Sequence, residues 1–386
     1  MTDENEPTSS FADDMDSGFS YEAALPQKKS FLPWHRPRKQ FVRDEQWCQA
    51  IEVLVKGIKT VDHKLKYLGL PGDDLLDLRF FHEKICIPQG LELSFLGFNN
   101  GARPDNTSQT ECNISLDEMM KREFVDPLSD VIGDNFCGIA DPRSMAWKKT
   151  SEMGPYDVIN LDLCDGFGKH EPGTLDDNHY NAVSALLSLQ ARRQDPWLFL
   201  LTTRVGNEHI HPAVREKLLK KYEQNLDEGQ PFQSASQKHF GIHDKESLDL
   251  AILEEAGLLA VSIASLCKWL LGISLNQNPP TKIEAISVVG YRIEQDSPCE
   301  DMVSIALRFE PVTHHSNDIL GLAANSTIAL DEGALAATAL EKIASILDVD
   351  KTLRDDPALL KRTIEATKEL LEDARYDGEA YQEWVG

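Results

Sequence analysis

Two hydrophobic rhythms take turns along this chain of 386 residues. Short runs that are almost wholly apolar read as strands covered on both faces, and they alternate with stretches where large apolar side chains return every three or four residues, as on one face of a helix. The strand runs fall at 66–69, 91–99, 135–141, 156–162 and 197–203, and two more at 283–293 and 302–309. Helical spacing begins at Asp44, where Trp47, Ile51, Leu54 and Ile58 share a face, and returns after Asp73 and Asp74, whose charges suit a helix's first turn. Further helices are predicted around Met119, Met120, Phe124 and Leu128, over 180–192, over 214–226 and over 248–271 with a break near Gly257. Past the last strand, 331–347 and 357–375 repeat the pattern, with Pro357 in a first turn and Asp355 or Asp356 as its cap.

Strands that alternate with helices predict an α/β fold, a mostly parallel sheet with helices on both faces, because crossovers between parallel strands are long and right-handed. The link 294–301 contains Pro298 and is too short for a helical crossover, so the final two strands form a terminal antiparallel hairpin. The chain then divides into an acidic tail at 1–26, a basic aromatic linker at 27–43, the α/β domain at 44–312 and C-terminal helices at 313–386.

Composition narrows the classes. A hydrophobic share of 41% supports a packed core, whereas the tail's acids, serines and few large apolar groups do not repay their ordering entropy. The apolar stretch 258–273 is interrupted by Ser262, Ser265, Cys267, Lys268 and Gly272, and no basic-then-apolar leader opens the chain, so a cytoplasmic protein without a membrane span is expected. Seven scattered cysteines without a Cys-x-x-Cys pair indicate reduced thiols. A formal charge of −25 excludes a general nucleic-acid coat. The exception is local: Lys28, Lys29, Trp34, Arg36, Arg38, Lys39 and Arg43 interleave cations with an aromatic, which suits either a phosphate strand or the acidic body of this protein or a partner. His239 and His243 stand four apart with Gly241 between them and no third ligand, so no metal site is expected.

The order of elements over about 41–312, closing on an antiparallel pair, resembles the class I S-adenosylmethionine-dependent methyltransferases, with a Rossmann-like sheet. That resemblance implies S-adenosylmethionine as cofactor. It places Gly69, Pro71 and Gly72 in the turn that lets backbone approach the cofactor's amino-acid end. It puts Asn99 where a carboxylate would hold the ribose, and Asp141 beside the adenine amino group. Asp162 and Asp165, at the end of the fourth strand, would face the transferring methyl group. His209 and His211 follow the fifth strand on the same side. The sequence departs from the family in lacking GxGxG, in carrying an amide at Asn99, and in reading Asp-Leu-Cys-Asp where base-modifying enzymes carry a Pro-Pro motif.

Two functions follow from these expectations. One is a methyltransferase of unspecified substrate. The other is a methyltransferase-like recognition or scaffold subunit without chemistry, in a multiprotein bacterial system that is nucleic-acid-associated or serves antiviral defence. In that second case other protein subunits, and nucleic acid through 28–43, are the partners.

Overall fold

A computed structural model describes residues 29–57, 63–100, 108–171, 173, 178–293, 300–312 and 330–386. The tail at 1–26, Lys28 and the stretch 313–329 lie outside them.

The sheet has eight strands: β1 (Lys64–Gly69), β2 (Glu92–Phe98), β3 (Asp130–Ile132), β4 (Val158–Asp162), β5 (Trp197–Arg204), β6 (Thr281–Tyr291), β7 (Met302–Pro311) and β8 (Leu347–Asp348). Their order is β3-β2-β1-β4-β5-β7-β6-β8. β1 to β5 are mutually parallel, β7 runs antiparallel to both β5 and β6, and β8 joins β6 in parallel at the edge. The expected architecture and the terminal antiparallel pair are both present.

Alternating residues of each strand feed two separate cores. Leu68, Leu96, Ile159, Leu161, Phe199, Leu201 and Ile305 face one layer, which includes the helices His179–Gln190, Glu255–Leu275 and Glu332–Ala344. Leu65, Tyr67, Leu93, Phe95, Val158, Leu198 and Leu200 face the other, where the N-terminal helical segment 37–57 and the helix Pro357–Asp373 lie. The run read as too interrupted for a bilayer is part of the 21-residue helix Glu255–Leu275. It is long and apolar enough to span by length and composition, but most of it is buried inside the protein.

Three readings need correction. The apolar run 135–141 is not a strand but a 3₁₀ turn, Phe136–Ala140, capped by the Asn135 side chain, which accepts from Cys137 N at 2.9 Å. Its apolar residues pack inward, Phe136 meeting Phe98 edge-on with ring centroids 5.8 Å apart. The true third strand, β3, is three half-buried residues with no apolar run to announce it. The basic linker is not a separate piece either, since helix begins at Pro37 and continues through a π-helical stretch, Val42–Cys48, into Gln49–Gly57. The C-terminal helices likewise belong to the body: Asp356, one of the two expected candidates, caps its helix, Asp331 caps the other, and Leu340, Ile343 and Leu371 are buried in the two cores.

Candidate functional site

Strand order reverses between β1 and β4, and in open α/β sheets ligands bind outside the carboxyl ends of the strands at such a switch point. The chain delivers four groups of residues there.

The loop after β1 leaves at Gly69. A side chain at Gly69 would run into the ring of Tyr67, at 2.6 Å, so glycine lets Tyr67 fold over the strand end. Pro71 lies over Gly97 of β2, 2.7 Å from where a Cβ would stand. At Gly72 nothing lies within 4 Å of that position, so the loop opens into space. The helix Leu76–Phe81 then starts from Leu75, a buried residue held in the left-handed region at φ 53°. That conformation is costly for a non-glycine residue and persists only where surrounding contacts impose it. Here Leu75 N donates to Gly72 O at 3.1 Å, and Arg79 Nε donates to Asp74 O at 2.9 Å. Asp74 is also gripped by Lys29 and by the Tyr376 hydroxyl, the latter at 2.7 Å.

At the end of β2, Asn99 Nδ2 donates to Asp73 Oδ1 at 2.9 Å, and Asn99 N donates to Ile132 O at 3.1 Å. The amide expected to replace a carboxylate therefore holds one in place. Asp141 does not reach the position given to it: it follows the 3₁₀ turn, is half-buried, and accepts from Arg143 N at 3.0 Å. The acid that follows β3 is Asp134, whose Oδ1 accepts from Asn135 N at 2.7 Å. Gly133-Asp134 directly after a strand was the available signal, hidden because β3 has so little apolar character.

At the end of β4, Asp162 forms an ion pair with Lys39 from the N-terminal helical segment; their side chains are 22% and 5% exposed. The Lys39 ammonium also stands 4.6 Å from the Trp47 ring centroid. Burial by itself would depress the Lys39 pKa, but Asp162, Tyr291 and Asp77 together outweigh it and the amine is held above its ordinary value, hence charged. Burial raises the Asp162 carboxyl above the usual range; Lys39 opposes the shift and Asp77 adds to it. Beneath this pair, Arg43 Nε donates to Asp77 Oδ1 at 2.6 Å, both side chains being nearly inaccessible. Trp47 Nε1 donates to Ser304 Oγ at 3.1 Å, which fastens the same segment to β7.

Asp165 sits one turn further on. Burial works against its charge, yet Lys169, the Gly166 amide and His209 together hold its carboxyl below the ordinary range. His209 Nδ1 meets Asp165 Oδ1 at 2.7 Å. Here the chain is tightly interlocked: a Cβ at Gly166 would lie 1.8 Å from His209 O, and His211 N donates to Gly168 O at 2.9 Å. The Cys164 thiol is pushed up by burial and by Asp162, so it is not a ready thiolate. Among the described residues no group of three His, Cys, Asp or Glu side chains gathers for a metal ion.

The remaining basic residues turn inward. Lys29 pairs with Asp74 and, at 3.1 Å, with Glu111; Arg38 meets Asp350 at 3.4 Å; Arg36 stacks over the Trp384 ring at 3.8 Å. Of the two roles open to this segment, its contacts are those of a strap over the protein's own acidic body. Trp34 is half exposed beside His35.

The model of the PP_RS20740-like family matches residues 28–386. No curated protein matches the chain. Among solved structures, a Listeria monocytogenes protein assigned to the class I S-adenosylmethionine-dependent methyltransferases is similar at 8% identity with a TM-score of 0.35. That match covers 75% of this chain and 65% of the Listeria chain. A loganic acid methyltransferase bound to S-adenosylhomocysteine is similar at 9% identity with a TM-score of 0.28, over 74% of this chain and 98% of that one.

Proposed function

For a chain that belongs to the PP_RS20740-like family and carries this sheet, we propose the function of an S-adenosylmethionine-dependent methyltransferase, with the cofactor in the crevice at the ends of β1, β2 and β3. One observation carries the reading. Open space at Gly72 adjoins a carboxylate, Asp73, that Asn99 holds at the ends of two adjacent parallel strands. An adenosyl ligand needs that combination, room beside bare backbone and an acceptor for its ribose hydroxyls.

In this reading the backbone at 69–72 holds the amino-acid end, Asp73 with Asn99 holds the ribose, and Asp134 takes over the adenine role first given to Asp141. The bound group supplies an electrophilic methyl on a sulfonium. The chain's own part is to orient an acceptor over β4 and β5, where His209, held through Nδ1 by Asp165, presents its other ring nitrogen to accept the acceptor's proton. The acceptor is therefore one that loses a proton on methylation, an O–H or N–H group.

Calorimetric titration with S-adenosylmethionine and S-adenosylhomocysteine tests this. Micromolar binding that is lost in Asp73→Ala, with the melting temperature unchanged, supports it. Absence of binding by folded protein sinks it. The second reading, a recognition or scaffold subunit, is favoured by the prior engagement of both β4-end carboxylates, Asp162 by Lys39 and Asp165 by Lys169. In that case folded protein binds neither ligand, and its partners contact the strap's exposed side.

A further inference from the structure

The ion pair at the end of β4 has an unusual make-up. Its carboxylate belongs to the sheet and lies in the switch-point crevice. Its ammonium comes from 123 positions earlier in the chain, on a helical segment that crosses the sheet face. Lys39 is nearly inaccessible, lies against Trp47, and is fastened through a helix whose Gln46 and Trp47 both bond to β7, Gln46 Nε2 reaching Ser304 O at 3.0 Å. A positive charge is thus held inside the crevice.

We propose that Lys39 is a built-in cation that sets the charge preference of the crevice: it occupies Asp162 when no cationic ligand is present and disfavours ligands that bring their own positive charge to the β4 end. The inference rests on the reading that the crevice takes S-adenosyl ligands. Those ligands come as a natural matched pair for the purpose, since S-adenosylmethionine carries a sulfonium and S-adenosylhomocysteine a neutral thioether of nearly the same shape. Like charges held apart by a few ångströms in a partly desolvated cleft repel far more than in water, while a neutral sulfur feels little of this. The methylated cofactor is thus admitted at a cost and must draw Asp162 away from Lys39, whereas the demethylated product leaves the pair intact.

The readout is the ratio of the two affinities, measured by calorimetry on the full chain. Lys39→Met removes the ammonium and keeps the side chain's length and apolar stem; the preference for S-adenosylmethionine over S-adenosylhomocysteine is then expected to rise about tenfold, a modest share of what two close unit charges exert. Asp162→Asn keeps the ammonium and removes its counter-charge, so the ratio is expected to fall by a similar factor. Lys39→Arg preserves the charge and is expected to leave the ratio where it was. Since the first two variants move the ratio in opposite directions, either one that folds suffices. A loss of stability alone weakens both ligands together and does not reproduce this pattern. Equal changes for the two ligands in Lys39→Met and Asp162→Asn would overturn the inference and leave cofactor binding standing. Failure of folded wild type to bind either ligand overturns both.

Discussion

The two flanks of the crevice are built on different terms. On the β1–β3 side the loop at Gly72 faces open space and the polar contact that matters is a single hydrogen bond, Asn99 to Asp73. On the β4–β5 side every carboxylate singled out from the sequence is already matched, Asp162 by Lys39 and Asp165 by Lys169 and His209, and the loops interlock until Gly166 has no room for a methyl group. The difference teaches where to look for each activity. Unfilled acceptors and unfilled space are resources for a ligand, whereas a compensated, interlocked wall is a fixed surface against which a ligand is positioned.

The largest expected effect breaks the comparison by striking beneath both flanks. Arg43→Met strands Asp77 without its cation in the layer under the crevice, and removal of one member of such a buried pair costs about 3–5 kcal/mol. Chemical denaturation should show a lower midpoint with little change in slope. Next, Gly166→Ala forces the β4 and β5 loops apart, at a cost of about 1–3 kcal/mol typical of overpacking, and hydrogen exchange should localise the loosening to residues near 165–168 and 206–211. Smallest in stability is Gly72→Ala, expected within about 0.5 kcal/mol of wild type because its new methyl group meets nothing. That substitution should nonetheless weaken S-adenosylhomocysteine. Equal stability losses for the two glycines would erase the distinction between the flanks.

A pH dependence sharpens it further. His35 is fully buried and burial lowers its pKa from 6.5 to about 4. A histidine with a depressed folded-state value contributes stability that is complete above pH 6.5 and declines as the pH falls toward 4, because the unfolded chain binds the proton more readily. His35 stacks edge-on against Tyr376, 5.0 Å between centroids, so acid should loosen the strap and the β1-loop contacts at Asp74 before it affects the β4–β5 loops. Melting temperatures of wild type and His35→Gln between pH 4 and 7 check this, with the wild-type slope flattened in the variant.

Much of the fold was legible because buried parallel strands must be apolar on both faces. Leu198 to Leu201 in β5 and Val158 to Leu161 in β4 have no alternative reading. β3 failed that test for the same reason: half-buried, three residues long and at the sheet edge, it needs little hydrophobicity, while Phe136 and Ile139 in the following turn are apolar because they plug one core. The misplacement of β3 also put Asp141, in place of Asp134, directly after the third strand. That Gly72 and Asn99 lie in the loops after β1 and β2 was legible from the predicted strands before them. The pairing of Lys39 with Asp162 was not, since no local spacing connects residues that only the tertiary fold brings together.

One contact has a bearing on how the molecule is made. Phe31 packs among Tyr376, Tyr381 and Trp384, with ring centroids 5.7, 5.5 and 5.4 Å away. During synthesis the strap must wait for those three aromatics to leave the ribosome, an interval of roughly tens of seconds at ordinary elongation rates. Throughout that time Phe31 lacks its aromatic partners, Arg36 its Trp384 face and Asp74 its tyrosine. Nascent chains stalled short of residue 376 would therefore present an unfinished, sticky seam to chaperones, and the clasp closes only once Trp384 has emerged.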